Sequence, residues 1–240
     1  MKLVMIRHGD PDYKRDALTP RGEKEVAALT EYLSARPEAD AYYVSPLGRA
    51  QLTARPTLEH FAADYETLPW LREFEGKMPS EKGSVQCWDM LPDVWTREGA
   101  FFDVRTFLSA EKYKGGTVSD CYEKVVSGID ALLEKYGYRR SGMLYTTDEG
   151  NNKTITLFCH LAVMFAVLSH LLNISPVLLW QGFHVAPTSI TTVVTEEREQ
   201  GKAGWRVTAL GECPHLEIGG IEKSDAGLFR ETYRDKDGIR

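Results

Sequence analysis

The chain predicts a layered α/β fold, and three observations carry that prediction. Short apolar runs alternate with helix-favouring stretches of roughly 12–15 residues, the rhythm of strands and helices stacked about a single sheet. Two of those runs end in a histidine and lead on to a helix, at His8 and at His160. With 240 residues, 42% of them hydrophobic and 27% charged, the chain can bury a full core as one domain, 1–240, carrying an insertion. Open α/β sheets bind ligands beyond the carboxyl ends of their strands, so both histidines fall where a site belongs.

Taken in order, Leu3-Val4-Met5-Ile6 makes 2–6 a buried strand. Leu18-Thr19-Pro20-Arg21-Gly22-Glu23 reads as a helix start, with Thr19 as N-cap and Pro20 as first helical residue. That helix runs to about Ala35, with Val26, Leu29, Thr30 and Leu33 on its inner face. Ala41-Tyr42-Tyr43-Val44 is a second strand, ending at Ser45-Pro46; a helix follows from Leu47 to about Phe61, and Tyr65-Glu66-Thr67-Leu68 is a third strand. Residues 75–116 break the rhythm with Pro, Gly and aromatics, including Trp88, Trp95, Phe101 and Phe102. The insertion, 77–116, is expected over the loop face of the sheet, as a lid on an organic leaving group, as aromatic packing, or both. Short helices are expected within it at 84–91 and 100–112. A long helix over 118–136, a strand over 155–159 and an apolar helix over 161–172 resume the pattern. Ser189 to Glu196 is a β-branched strand, and Trp205 to Leu210 its edge or hairpin partner. Thr146 to Lys153 is a polar connection, and residues from about Gly227 are expected to be loosely held.

A net charge of -6 argues against bulk binding to nucleic acid or to an anionic membrane, so any positive field must be local and built from a few arginines. Cys87, Cys121, Cys159 and Cys213 are widely spaced, with no CxxC, which excludes the common zinc and redox patterns and a dense disulfide framework. No basic, long-apolar and small-residue sequence opens the chain, so a cytoplasmic home is expected. The apolar stretch from Ile155 to Leu172 is interrupted by His160, Ser169 and His170, and reads as strand plus helix, not as a membrane span. The six histidines, His8, His60, His160, His170, His184 and His215, show no HxH or HExxH spacing, so neither metal nor other cofactor is expected. No GxGxxG follows the first strand, which removes the dinucleotide-binding reading.

The chemistry concentrates in a few short stretches. In Arg7-His8-Gly9 the arginine supplies a charge-assisted fork for an oxyanion, and the glycine lets the turning backbone come close to a ligand. His160 follows Leu157-Phe158-Cys159 and precedes a helix, whose amino terminus attracts anions. Arg49 lies just past Ser45-Pro46 and can point back toward Arg7. Two arginines and two histidines converging on one point suit a phosphoryl group, neutralising its oxygens while one imidazole attacks phosphorus. His184 sits in a loop before a strand, where binding groups concentrate, and is a candidate to line the pocket. The bland alternatives are a hydrogen-bonded core histidine at His8 and a solvated helix charge at Arg49. His60 and His170 read as surface or packing residues, and Arg21 as a helix-start surface charge.

Four stretches together resemble the histidine phosphatase superfamily, the phosphoglycerate mutase-like proteins: Arg7-His8-Gly9, Leu18-Thr19-Pro20-Arg21-Gly22, Ser45-Pro46-Leu47-Gly48-Arg49-Ala50-Gln51-Leu52-Thr53-Ala54, and Leu157-Phe158-Cys159-His160. The likeness runs from Lys2 to about Leu172 and extends to Cys213-Pro214-His215-Leu216, similar to the family's closing histidine-leucine pair. Leu161 stands where family members more often have glycine. The resemblance implies a three-layer α/β/α sandwich with a mostly parallel central sheet. It implies His8 as phosphorylated nucleophile, with Arg7, Arg49 and His160 on the nonbridging oxygens. It also implies a carboxylic acid that protonates the leaving oxygen and later activates water. Glu73, in Trp70-Leu71-Arg72-Glu73-Phe74-Glu75-Gly76, is favoured for this over Glu75. Only Asp10 to Ala17 separates the histidine signature from the helix landmark, shorter than in the cofactor-dependent mutases, which favours metal-independent phosphomonoester hydrolysis over mutase-type transfer. A noncatalytic phospholigand-binding role is the third reading. The partner implied is a small phosphorylated substrate of open identity, and oligomeric state is open too.

Overall fold

Alternating side chains on β1 (Lys2–Arg7) divide the protein into layers. Leu3 and Met5 point into a large core with Ile129, Leu157 and Phe165, whereas Ile6 points into a smaller one with Leu29, Val44, Leu58 and Phe158. All three β1 side chains are fully buried, and each such burial stabilises the fold by roughly 1.5–3 kcal/mol. A strand apolar on both faces must be covered on both. The computed structural model, which describes residues 1–81 and 83–229, meets that demand with a three-layer α/β/α sandwich.

β1 sits inside an eight-stranded sheet. On one side it pairs in parallel with β10 (Thr154–Cys159), then come β4 (Ala41–Val44) and, at the edge, β5 (Tyr65–Thr67), all parallel. On the other side β11 (Ile190–Glu199) runs antiparallel and forms a long hairpin with β12 (Lys202–Glu212). β9 (Leu144–Thr146) and β8 (Arg139–Ser141) complete that edge, also antiparallel. Helices α1 (Pro20–Ser34), α2 (Gly48–Phe61) and α7 (Pro214–Ile218) lie on the face of the smaller core. The opposite face is covered by α4 (Val118–Glu134), α5 (Leu161–Leu172) and α6 (Pro176–Gly182).

Local rules explain most element boundaries. Thr19 caps α1, its hydroxyl accepting from the Gly22 amide at 3.1 Å, with Pro20 as first helical residue. Val26 and Leu29 are buried on α1's inner face, with Thr30 and Leu33 partly so. The apolar helix α5 ends at Asn173 in the left-handed conformation, where a short polar side chain is tolerated.

The insertion departs from expectation. Residues 84–91 are not helical: β7 (Gly83–Gln86) pairs with β6 (Lys77–Ser80), and a short α-helix follows, α3 (Pro92–Trp95). Over 100–112 the expected helix is replaced by single 3-10 turns at Gly99–Phe102, Phe107–Ser109 and Glu111–Tyr113. Aromatic packing overrides local preference here, because a short helix has little stability of its own. Phe101 packs on Tyr113 at 5.0 Å between centroids, Phe107 meets Tyr122 edge-on at 4.9 Å, and Trp88 lies 5.9 Å from Trp180. Phe101, Phe107 and Tyr113 thereby join the large core.

The β8–β9 hairpin and α6 answer to no expectation. Two consecutive arginines disguise β8, yet Arg140 is satisfied by the His170 carbonyl at 2.9 Å and Asn173 Oδ1 at 2.7 Å. Near the chain end, Gly227 is held against Arg7, while 230–240, the rest of the segment expected to be loose, lies outside the described residues. Among the described residues no helix is long and apolar enough to cross a membrane.

Replacing Thr19 with alanine removes the cap of α1 and is expected to cost about 1 kcal/mol, a fall in Tm of roughly 2–4 °C for a chain of this size. Scanning calorimetry checks it, and an unchanged Tm would show that the hydroxyl contributes nothing.

Candidate active site

The register of β1 against β10 pairs Arg7 with Cys159, so the next residue of each chain segment leaves the sheet at the same level. The His8 amide continues the ladder by donating to the Cys159 carbonyl at 3.0 Å. The rings of His8 and His160 consequently lie side by side, centroids 5.0 Å apart and planes tilted by 54°. Both histidines are buried.

Their ring nitrogens are differentiated. His8 Nδ1 lies 2.7 Å from the Gly9 carbonyl. A carbonyl only accepts, so Nδ1 carries the proton and Nε2 keeps its lone pair. Burial, then the charge of Arg7, and also that of Arg49, hold the His8 pKa well below its ordinary value. His160 Nε2 lies 2.6 Å from Ser45 Oγ, while its Nδ1 is buried without a partner. Burial, His8 and the two arginines likewise depress its pKa.

Arg7 is clamped through both outer nitrogens and Arg49 through Nη1, each with its Nε unpartnered and buried. Arg7 donates from Nη1 to the Val185 carbonyl at 2.6 Å and from Nη2 to the Ala226 carbonyl at 2.8 Å. Arg49, in the first turn of α2, donates from Nη1 to Asp16 Oδ1 at 2.6 Å, and the other oxygen of Asp16 accepts from the Gly48 amide at 2.6 Å. Glycine is required at 48, because a Cβ there would come within 2.3 Å of the Asp16 carbonyl.

Of the two candidate carboxyls, Glu73 stands at the site. Its Oε1 accepts from the amides of Phe74 at 2.8 Å and of Ala162 and Val163 at 3.1 Å each, at the amino terminus of α5. Burial raises its pKa, against the opposing pull of those amides, Arg7 and Arg49. Glu75 is exposed and pairs with Arg72 at 3.1 Å. His184 is half-buried near Arg7. Burial first, and then the Arg7 charge, bring its pKa down to about 4. Gly9 sits beneath the site: its amide is taken by Thr53 Oγ1 at 2.9 Å, and its open side packs toward Gly22, Val26 and Leu18.

Several neighbours escaped sequence reasoning. Ser45 had a signal, since it ends β4 as the histidines follow β1 and β10. Thr188 adopts φ of 57°, unusual for a β-branched residue, and its amide donates to the carbonyls of both Arg7 and His8 at 3.1 Å. Buried His215 supports it, with Nε2 at 2.9 Å from the Thr188 hydroxyl. The segment 222–227 crosses the site: the Arg21 guanidinium donates to the Glu222 carbonyl, and the Ser224 hydroxyl to Asp10 Oδ1. Among the described residues no cluster of three or more His, Cys, Asp and Glu side chains is set to hold a metal ion.

A family comparison decides what this cluster belongs to: the histidine phosphatase superfamily (branch 1) matches residues 3–208. The chain is a member of that superfamily. No curated protein sequence matches it. Among solved structures it is similar to a mutant phosphoserine phosphatase from Entamoeba histolytica in complex with phosphoserine. The two share 20% identity over 90% of this chain and 98% of that one, with a TM-score of 0.60. Phosphoserine phosphatase from the same organism with 3-phosphoglyceric acid gives 20% identity, the same coverage and a TM-score of 0.58. The native mycobacterial glucosyl-3-phosphoglycerate phosphatase gives 18% identity over 88% and 98% of the two chains, with a TM-score of 0.60. Superfamily membership and these folds agree on the three-layer sandwich, and membership alone places the chain among histidine-phosphatase-type proteins in general terms.

The depressed histidines set a pH dependence of stability. His8, His160, His184 and His215 all have folded pKa values below the unfolded value of 6.5, about 4 for the last two. Below 6.5 the unfolded chain takes up protons that the folded chain refuses, so stability is full above that pH and is lost as pH falls toward 4. Glu25 and Glu73, raised by burial, work the other way, so four groups stand against two. Tm is expected to be several degrees lower at pH 5 than at pH 7.5, and an equal or higher value would show that these rings are not held neutral.

Proposed function

We propose that the protein hydrolyses phosphomonoesters without a metal, through a phosphohistidine on His8. The observation that carries this reading is the proton arrangement at His8: Nδ1 is tied to the Gly9 carbonyl, which leaves the Nε2 lone pair free beside a second imidazole and two buried guanidiniums. Nε2 attacks phosphorus as the ester P–O bond breaks. The unpartnered Nε groups of Arg7 and Arg49 and Nδ1 of His160 are donors for the nonbridging oxygens. Their charge is fixed and desolvated before substrate arrives, so little reorganisation accompanies reaction.

Glu73 donates its proton to the departing oxygen. With Oε1 held by three amides, Oε2 is the oxygen that carries the proton, and a raised pKa keeps the acid form populated. The resulting carboxylate then takes a proton from water as that water attacks phosphorus. The N–P bond breaks, and neutral His8 and inorganic phosphate are released. His184 lines the substrate side near Arg7, Gly9 serves by orienting His8, and the insertion, tied to α6 through Gln181 and the Trp88 carbonyl at 2.7 Å, flanks the leaving group. A small phosphorylated molecule is the substrate, and a reducing cytoplasmic setting suits the four unpaired cysteines.

His8→Ala is expected to abolish chelator-resistant phosphate release, a loss of at least about 10³-fold, together with acid-labile labelling of the protein by a radioactive phosphomonoester. Isomerisation of 3-phosphoglycerate without phosphate release would instead establish mutase-type transfer, and binding without either would leave a phospholigand-binding protein. Glu73→Gln should slow hydrolysis of alkyl phosphates by about 10²–10⁴-fold and that of p-nitrophenyl phosphate far less, because p-nitrophenolate leaves without a proton. Equal loss on both esters would remove Glu73 from the role of acid.

A further inference from the structure

The short hairpin between His8 and α1 presents one side chain that the chemistry above does not use. β2 (Pro11–Asp12) pairs with β3 (Ala17–Leu18), and the tip between them is pinned at both ends. Asp12 Oδ1 accepts from the amides of Lys14 at 3.0 Å and Arg15 at 3.3 Å. Asp16, in the left-handed conformation with φ of 50°, is locked onto Gly48 and Arg49.

This tip lays Tyr13 across both site arginines. The Arg49 guanidinium carbon is 5.4 Å from the ring centroid, a cation–π geometry, and the phenol stands close enough to Arg7 to favour that arginine's charge. Yet Tyr13 is 63% exposed. A tyrosine kept for packing hides its ring, whereas this one stands mostly in solvent beside two buried cations. A guanidinium only donates, so neither arginine can take the phenol's O–H, which is left to give elsewhere.

We propose, building on the phosphatase reading, that Tyr13 grips the substrate. Its O–H donates to a phosphoryl oxygen lying between Arg7 and Arg49, and its ring forms a wall for the leaving group that favours esters with a flat apolar portion. Tyr13 thus sets affinity for phosphate and selectivity among esters, and takes no proton from the reaction.

Tyr13→Phe and Tyr13→Leu separate the two contributions. With Tyr13→Phe, KM for p-nitrophenyl phosphate and the Kd for inorganic phosphate, measured by calorimetry at fixed ionic strength, should both rise about tenfold, the scale of one hydrogen bond to a charged group. kcat should fall less than threefold. Tyr13→Leu should in addition erase the preference for p-nitrophenyl phosphate over phosphoserine in kcat/KM that Tyr13→Phe keeps. A purely structural role would instead lower Tm and kcat together and leave phosphate affinity in place. If Tyr13→Phe binds phosphate as the native protein does, while native hydrolysis is active and vanishes in His8→Ala, the gripping role is wrong and the phosphatase reading stands. If the native protein neither binds phosphate nor releases it from any ester, both readings fall.

Discussion

Two parallel strands in register hold the whole site in place. Because Arg7 pairs with Cys159, the residues that follow them share one level at the edge of the sheet, and the imidazoles of His8 and His160 come to 5.0 Å with no loop needed to aim them. A slip of two residues along that ladder would separate the rings by about 6–7 Å, and a slip of one would turn the apolar faces of β1 inside out. The large core under Leu3 and Met5 and the smaller core under Ile6 both resist such a slip. The geometry of the site and the stability of the fold are therefore enforced by the same hydrogen bonds.

Around that pair the protein holds charge that it would be cheaper to leave in water. Arg7 and Arg49 are buried, and their burial is tolerated because carbonyls of Val185 and Ala226 and the carboxylate of Asp16 satisfy outer nitrogens of both. The two Nε groups and Nδ1 of His160 are left as buried nitrogens without a protein partner. The strained turn at Thr188 belongs to the same arrangement. Its amide bridges the carbonyls of Arg7 and His8, and His215 braces the side chain from behind.

What could be read from the sequence follows from how locally each feature is encoded. The strand at 2–6, the Thr19-Pro20 helix start and the apolar helix after His160 depend on nearest neighbours and periodicity, and they stand as expected. Arg7, His8, Arg49, His160 and Glu73 each sit in a short contiguous stretch, and the structure brings all five together. The insertion resisted reading because its shape is dictated by rings from α4 and α6 that lie far away in sequence. Asp16 is an ordinary loop residue until the fold sets it beside Arg49, whereas the place of Ser45 at the end of β4 is a signal that only its contact with His160 makes plain. The carbonyls of Val185 and Ala226 carry no side-chain signature at all, so nothing in the sequence could mark them.

The Ala226 carbonyl that clamps Arg7 comes 219 residues after it. A chain emerging in sequence from the ribosome presents Arg7 long before Ala226. During synthesis the arginine's second clamp, and the crossing segment tied to Asp10 and Arg21, do not yet exist. The site is thus finished by a stretch made after all its side chains, so a nascent polypeptide that has passed His160 but not Ala226 carries the whole histidine–arginine cluster and still lacks the finished geometry.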